Sequence, residues 1–201
     1  MLYVFSGSDQ LSEDFIRTCS SFLPKRRLDQ MMRYHFLHDR KLCALTYLLL
    51  VHALKTEGYF YSLPEFGYCT DGKPFLSNYP DIHFNLSHCQ DVAVCLISEV
   101  EVGVDVEKVD QYDDKMARAI CNDVEYLWVT RSSDPKTRAK SFTKLWTRKE
   151  SVVKWRGTGL NCDPREIILD CSTESSSAGF QITSHYVEDG DFYISVCRER
   201  K

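Results

Sequence analysis

The chain has 201 residues, enough for one large domain or two small ones. Hydrophobic residues make up 43% and charged residues 27%, the balance of a soluble globular protein rather than a disordered or fibrous one. A formal net charge of −4 argues against general nucleic-acid binding, which leaves a basic footprint, but it allows a local basic pocket for a phosphorylated ligand.

Residues 1–6 alternate as a first strand would, and MLYVFSGSDQ lacks the charged start and long apolar run of a signal peptide. Over 29–55 the pattern turns helical, with Leu42, Leu45, Leu49 and Ala53 on one stripe and Gly58 as a stop signal. The most apolar stretch, LCALTYLLLVHAL at 42–54, is too short to span a bilayer and holds a histidine. Residues 59–80 are rich in Pro, Gly, Asn and Tyr and read as loop with short strands. The segments 84–86, 92–97 and 100–106 read as three successive strands whose short connections suit an antiparallel arrangement. In the second half, 115–129 and 136–156 read as helices. Then 166–169, 180–186 and 192–197 read as strands, connected by STESSSAG (172–179) and EDGD (188–191). Each half is helix first and a small antiparallel sheet after, so the expected architecture is α+β, two similar lobes around a cleft.

Nine cysteines stand without a CxxC pair or regular spacing, several of them in apolar runs. They read as reduced thiols of a cytosolic protein, and the paired ligand spacing of a zinc site is missing.

Five stretches can carry chemistry. In VEVGVDVEKV (100–109) Val100, Val102, Val104 and Val106 share one strand face, and Gly103, Asp105 and Glu107 share the other. The last two would stand about 6.5–7 Å apart along the strand, close enough to converge on one hard cation, and Gly103 would leave room for a ligand. A solvated face of like charges reads the same way. In FTKLWTRKESVVKWRG (142–157) an apolar helical stripe is interrupted by Lys149, with Glu150 at its border and Lys154 one turn beyond. A buried lysine is costly unless paired or bound, whereas Glu150 and Lys154 alone fit an ordinary i,i+4 surface pair. In HFNLSHCQD (83–91) Asn85 and Ser87 share a face, and Ser87 and His88 end the strand, facing a cleft or capping the strand end. Lys73 in TDGKPFL follows a turn. PKRR (24–27), with Arg33, Arg40 and Lys41 nearby, is a basic group that either faces solvent or meets phosphates.

The order GKPFL, HFNLSH, VGVDVEK, FTKLWTRKESVVKWRGTGL resembles the 4′-phosphopantetheinyl transferases of the surfactin-synthetase-activating type over about residues 20–165. The resemblance implies a pseudo-dimer of two α+β lobes in one chain, 1–103 and 104–201, with the active site between them. It implies transfer of the phosphopantetheine arm of coenzyme A to a serine of an apo acyl or peptidyl carrier protein, with Mg²⁺ as cofactor and adenosine 3′,5′-bisphosphate as the other product. Carried over by motif, Asp105, Glu107 and Glu150 become Mg²⁺ ligands and Glu150 the general base. Lys149 and Lys154 would neutralise the pyrophosphate, with Lys154 acting on the leaving group. Lys73, Ser87 and His88 would hold the nucleotide, and Arg27, Arg40 and Lys41 are further nucleotide-contact candidates. The expected protein is a cytoplasmic monomer without nucleic-acid or membrane partners. A second reading is an inactive module that binds coenzyme A or carriers; a third is a Mg²⁺-dependent phosphoesterase using the same carboxylates, which leaves GKPFL and NLSH unexplained.

Overall fold

A computed structural model describes residues 1–159, 162–171, 176–177 and 179–200. The first sheet joins β1 (Leu2–Ser6), β5 (Val92–Ser98) and β4 (His83–Cys89), all antiparallel, in the order β1-β5-β4. Alternation divides β5 cleanly. Ala93, Cys95 and Ile97 turn towards a long helix, and Val92, Val94 and Leu96 turn the other way. That helix, α3 (Leu37–Thr56), buries Leu42, Leu45, Leu50, Ala53 and Leu54 on the sheet.

Two shorter helices, α1 (Asp14–Ser20) and α2 (Lys25–Met32), pack on α3 through Cys19 and Met31, with Leu23 of their connection. The expected helix over 29–55 is therefore two, α2 and α3, interrupted between Arg33 and Phe36. A small ribbon, β2 (Phe66–Tyr68) and β3 (Pro74–Leu76), follows.

The third expected strand, β6 (Val102–Lys108), begins two residues late and does not extend the first sheet. It pairs with β9 (Phe192–Glu199) in a second sheet, ordered β6-β9-β8-β7, with β8 (Phe180–Val187) and β7 (Ser176–Ser177) beyond. The valines still go to the core. Val102, Val104 and Val106, with Ile194 and Val196 of β9, pack face to face on Val92, Val94 and Leu96 of the first sheet. Each such side chain taken out of water contributes roughly 1.5–3 kcal/mol, so this sandwich seam holds the two sheets together.

The opposite face of β6 meets α6 (Pro135–Arg156). Asp134 caps this helix by accepting from the Thr137 amide at 2.9 Å, and Pro135 fills its first turn. Gly157 ends it in the left-handed region at φ 75°. The layers thus run α3, first sheet, second sheet, α6. On the outer side of α6, the expected helix over 115–129 is split into α4 (Asp114–Ile120) and α5 (Asp123–Thr130). The Asn122–Glu125 capping box starts α5 afresh.

The expected strand at 166–169 is absent: a 3-10 turn, Pro164–Glu166, leads into an extended segment outside both sheets. Ile167 and Leu169 are buried and Ile168 is exposed, so burial against α4–α6 produced the alternation. The connector STESSSAG lies largely outside the described residues. Among the described residues, no helix is long and apolar enough to cross a membrane.

Gly103 explains how closely α6 sits. A Cβ there would fall inside van der Waals contact of the Ser151 carbonyl and the Trp155 backbone. The residue makes room for the helix backbone, not for a ligand as the sequence suggested. Gly103→Ala should cost about 2 kcal/mol or more in a urea melt; an unchanged midpoint and slope would show that α6 can retreat freely.

Candidate active site

β4, β6 and α6 meet at one polar junction. Asp105 is 3% exposed, and its Oδ1 accepts from Ser87 Oγ at 2.9 Å and from Lys154 Nζ at 2.6 Å. Lys154 also donates to Ser87 Oγ at 2.8 Å. Three residues from three elements thus close a triangle of hydrogen bonds. One position earlier in the sheet edge, Asn85 Oδ1 accepts from the Val104 amide at 2.8 Å. Asn85 therefore satisfies a buried strand-edge donor that β4 does not reach with its own backbone.

Glu107 and Glu150 complete the electrostatics. Burial raises the pKa of Glu107 to about 7, aided by the charge of Asp105, while Lys154 and then the Trp146 indole pull the other way. Burial and then Asp105 raise that of Glu150. The three carboxylates repel one another across a shared space that a cation would stabilise. They do not form a preformed cage: among the described residues, no three His, Cys, Asp or Glu side chains are grouped closely enough to hold a metal ion by themselves. One carboxylate oxygen, Asp105 Oδ2, is buried with no partner.

Beside the junction lies a cleft of about 250 Å³ lined by Gly72, Lys73, Asn85, Glu150, Lys154 and Gly157, among others. Lys73 stands at its wall with its ammonium already engaged. It donates to Glu101 Oε2 at 2.5 Å and to the Trp155 carbonyl at 2.9 Å, tying the TDGK turn to the end of α6. Glu101 also meets His83 Nδ1 at 2.9 Å.

His88 has an exposed edge, yet its pKa is lowered by burial of the ring and by Lys154 and Arg27 nearby. Arg27 donates to the Cys43 carbonyl and to Thr46 Oγ1, each at 2.7 Å, with its guanidinium over the Phe66 ring. Arg40 braces the corner between α2 and α3 through the Tyr34 carbonyl at 2.9 Å.

Two expected contacts point elsewhere. Lys41 is buried and donates to the Leu11 carbonyl at 2.5 Å, which fastens the N-terminal segment instead of facing the cleft. Lys149 is fully buried and ion-paired with Glu125 at 2.6 Å, away from Asp105 and Lys154. Both side chains follow from helix geometry: neighbours of a site residue in sequence lie about 100° around the axis. Asn85 and Glu125 are the bonding partners that sequence reasoning did not assign. Asn85 shares the Ser87 face of its strand, a signal that was present; Glu125 carries none, because its partner lies 24 residues away.

Comparison with known proteins decides the family. The chain is 31% identical over 179 residues to the 4′-phosphopantetheinyl transferase psf-1 of Bacillus pumilus, covering 84% of this chain and 75% of that protein. It is 33% identical over 166 residues to the 4′-phosphopantetheinyl transferase gsp of Aneurinibacillus migulanus, covering 80% and 66%. The chain belongs to the 4′-phosphopantetheinyl transferase superfamily. The model of that superfamily matches residues 101–197, which contain the DVE strand, all of α6 and most of β9. The 4′-phosphopantetheinyl transferase Sfp of Bacillus subtilis (strain 168) is 26% identical over 153 residues, 75% of this chain and 67% of that protein. A further 4′-phosphopantetheinyl transferase of Bacillus subtilis aligns over 97 residues, 43% of its own length. The chain thus spans less than two thirds of some of the relatives it matches.

The junction itself is open to test. Asn85→Ala leaves the Val104 amide buried without an acceptor and should lower stability by about 1–3 kcal/mol in chemical denaturation. No loss would mean that the two sheet edges do not depend on this contact.

Proposed function

We propose that the protein transfers the 4′-phosphopantetheine group of coenzyme A to a serine hydroxyl of an apo acyl or peptidyl carrier protein, releasing adenosine 3′,5′-bisphosphate. The observation that carries this reading is the convergence of Lys154, Ser87 and three carboxylates beside one narrow cleft. Coenzyme A brings a diphosphate and a 3′-phosphate, so an acidic protein needs a local cationic group to hold it. We read the α3 unit and the α6 unit as the two lobes of a pseudo-dimer, with coenzyme A between them.

Mg²⁺ fits this donor set. It takes hard oxygen ligands, keeps waters and shares substrate phosphates, so it does not require a complete protein cage. Asp105, with its unpartnered Oδ2, would hold it together with Glu107 and Glu150. When bound, the ion supplies neutralisation of the diphosphate and of the charge that builds on the leaving phosphate.

The chain's own residues do the rest. Lys154 leaves Asp105 for the diphosphate and stabilises the negative charge as the bridging P–O bond breaks. Ser87 fixes the orientation of Asp105 and offers its hydroxyl to a phosphate oxygen. Glu150, whose pKa is pushed upward by burial and by Asp105, takes the proton of the attacking serine, directly or through water. The serine oxygen bonds to the phosphorus next to pantetheine, and the departing phosphate remains with adenosine 3′-phosphate. We assign the 3′-phosphate to Arg27 and His88, whose charges already sense one another, with Arg40 as a further candidate. The Lys73 turn shapes the wall, its ammonium serving Glu101 and the end of α6.

Incubated with Mg²⁺, coenzyme A and an apo carrier, the protein should add the mass of one phosphopantetheine group to the carrier, read by intact mass spectrometry. Chelation should stop the reaction and added Mg²⁺ restore it. Asp105→Ala should abolish the gain. No gain on any of a panel of acyl and peptidyl carriers would contradict the proposal.

A further inference from the structure

Lys149 carries an ammonium group with no exposed surface. All three of its protons are used: on Glu125 Oε2 at 2.6 Å, the Pro164 carbonyl at 2.6 Å and the Ile120 carbonyl at 3.2 Å. Glu125 is held at both oxygens. Its Oε2 also accepts from the Asn122 amide at 3.0 Å, and its Oε1 from the Leu169 amide at 3.3 Å. The pair gathers the end of α4, the start of α5, the Pro164 turn and the Leu169 segment onto one side of α6. On the other side of the same helix, Gly103 admits the backbone at Ser151 and Trp155.

Stability alone does not account for this. A well-packed apolar pair of similar volume usually holds as well as a buried ion pair, or better. What the ion pair adds is direction: three hydrogen bonds from Lys149 on a helix that a greasy contact would let rotate or slide, and two more that fix its partner Glu125. The residue after Lys149 is Glu150, and Lys154 follows little more than a turn later.

We propose that Lys149 and Glu125 are positioning residues, which act through α6 to hold Glu150 and Lys154 in register with Asp105, and that Lys149 does not contact coenzyme A. The proposal rests on the transferase reading given above and assigns a role within it.

Two variants test it: the double variant Glu125→Leu/Lys149→Met, and Glu125→Gln, which keeps the shape and loses the charge. The double variant should melt at or above the parent temperature. Its KM for coenzyme A should stay within about twofold while kcat falls about a hundredfold, the cost of a small misplacement of reacting groups. Glu125→Gln should fall between it and the parent. A stable double variant with parental kcat overturns the proposal. So does a rise in KM for coenzyme A at unchanged kcat, which would mark Lys149 as a substrate contact. Failure of both variants to fold would make the pair purely structural and also overturns it. If the parent itself transfers nothing, the transferase reading fails, and a crystal structure of the double variant decides the present point. Lys154 Nζ should then have moved from its 2.6 Å contact with Asp105; an unchanged contact overturns the proposal.

Discussion

The site depends on one close approach, the seating of α6 against β6 at Gly103. Only where a strand lacks a Cβ can a helix backbone come this near. The approach brings side chains of both elements to bear on the same point. Asp105, one step along the Gly103 face, comes within a hydrogen bond of Lys154, and Glu150 comes close enough for its charge to feel Asp105. A larger helix–strand spacing would leave three isolated charged groups in place of one acidic and cationic junction.

The second requirement is that the two sheets stay face to face. The valine seam does this without polar contacts, so the polar groups at its border are free for other work. Ser87 reaches Asp105 from the first sheet, Asn85 reaches the Val104 amide, and Lys73 reaches across to Glu101 and Trp155. The cleft lined by Lys73, Glu150 and Lys154 is where these bridges stop. Its walls come from both halves of the chain.

Much of this was legible in the sequence, and unevenly. Helix α6 was readable almost to the residue, because Asp134-Pro135 is a strong local start signal and Gly157 a strong stop signal. The division of VEVGVDVEKV into an apolar and an acidic face was readable from alternation alone. Its sheet was not: a strand that follows a hairpin can extend it or leave, and the partner β9 lies some 90 residues on. The alternation at 167–169 imitated a strand because burial between helices imposes the same in–out pattern on an extended segment. Among the charges, Asp105, Ser87 and Lys154 could be grouped by motif. Lys149 looked like a site residue because it interrupts an apolar stripe, where a lysine must be paired or bound, and only the fold reveals that the partner is Glu125.

The central claim is that Asp105, Glu107 and Glu150 surround a divalent ion and that Lys154 is held ready beside it for a diphosphate. The most direct measurement is a crystal structure with Mn²⁺ and coenzyme A, using anomalous scattering to locate the ion. The account predicts a peak within coordination distance of Asp105 and a diphosphate oxygen, with Lys154 Nζ moved from Asp105 Oδ1 onto the diphosphate. An ion bound away from Asp105, or a diphosphate that leaves the Lys154–Asp105 contact intact, would contradict it.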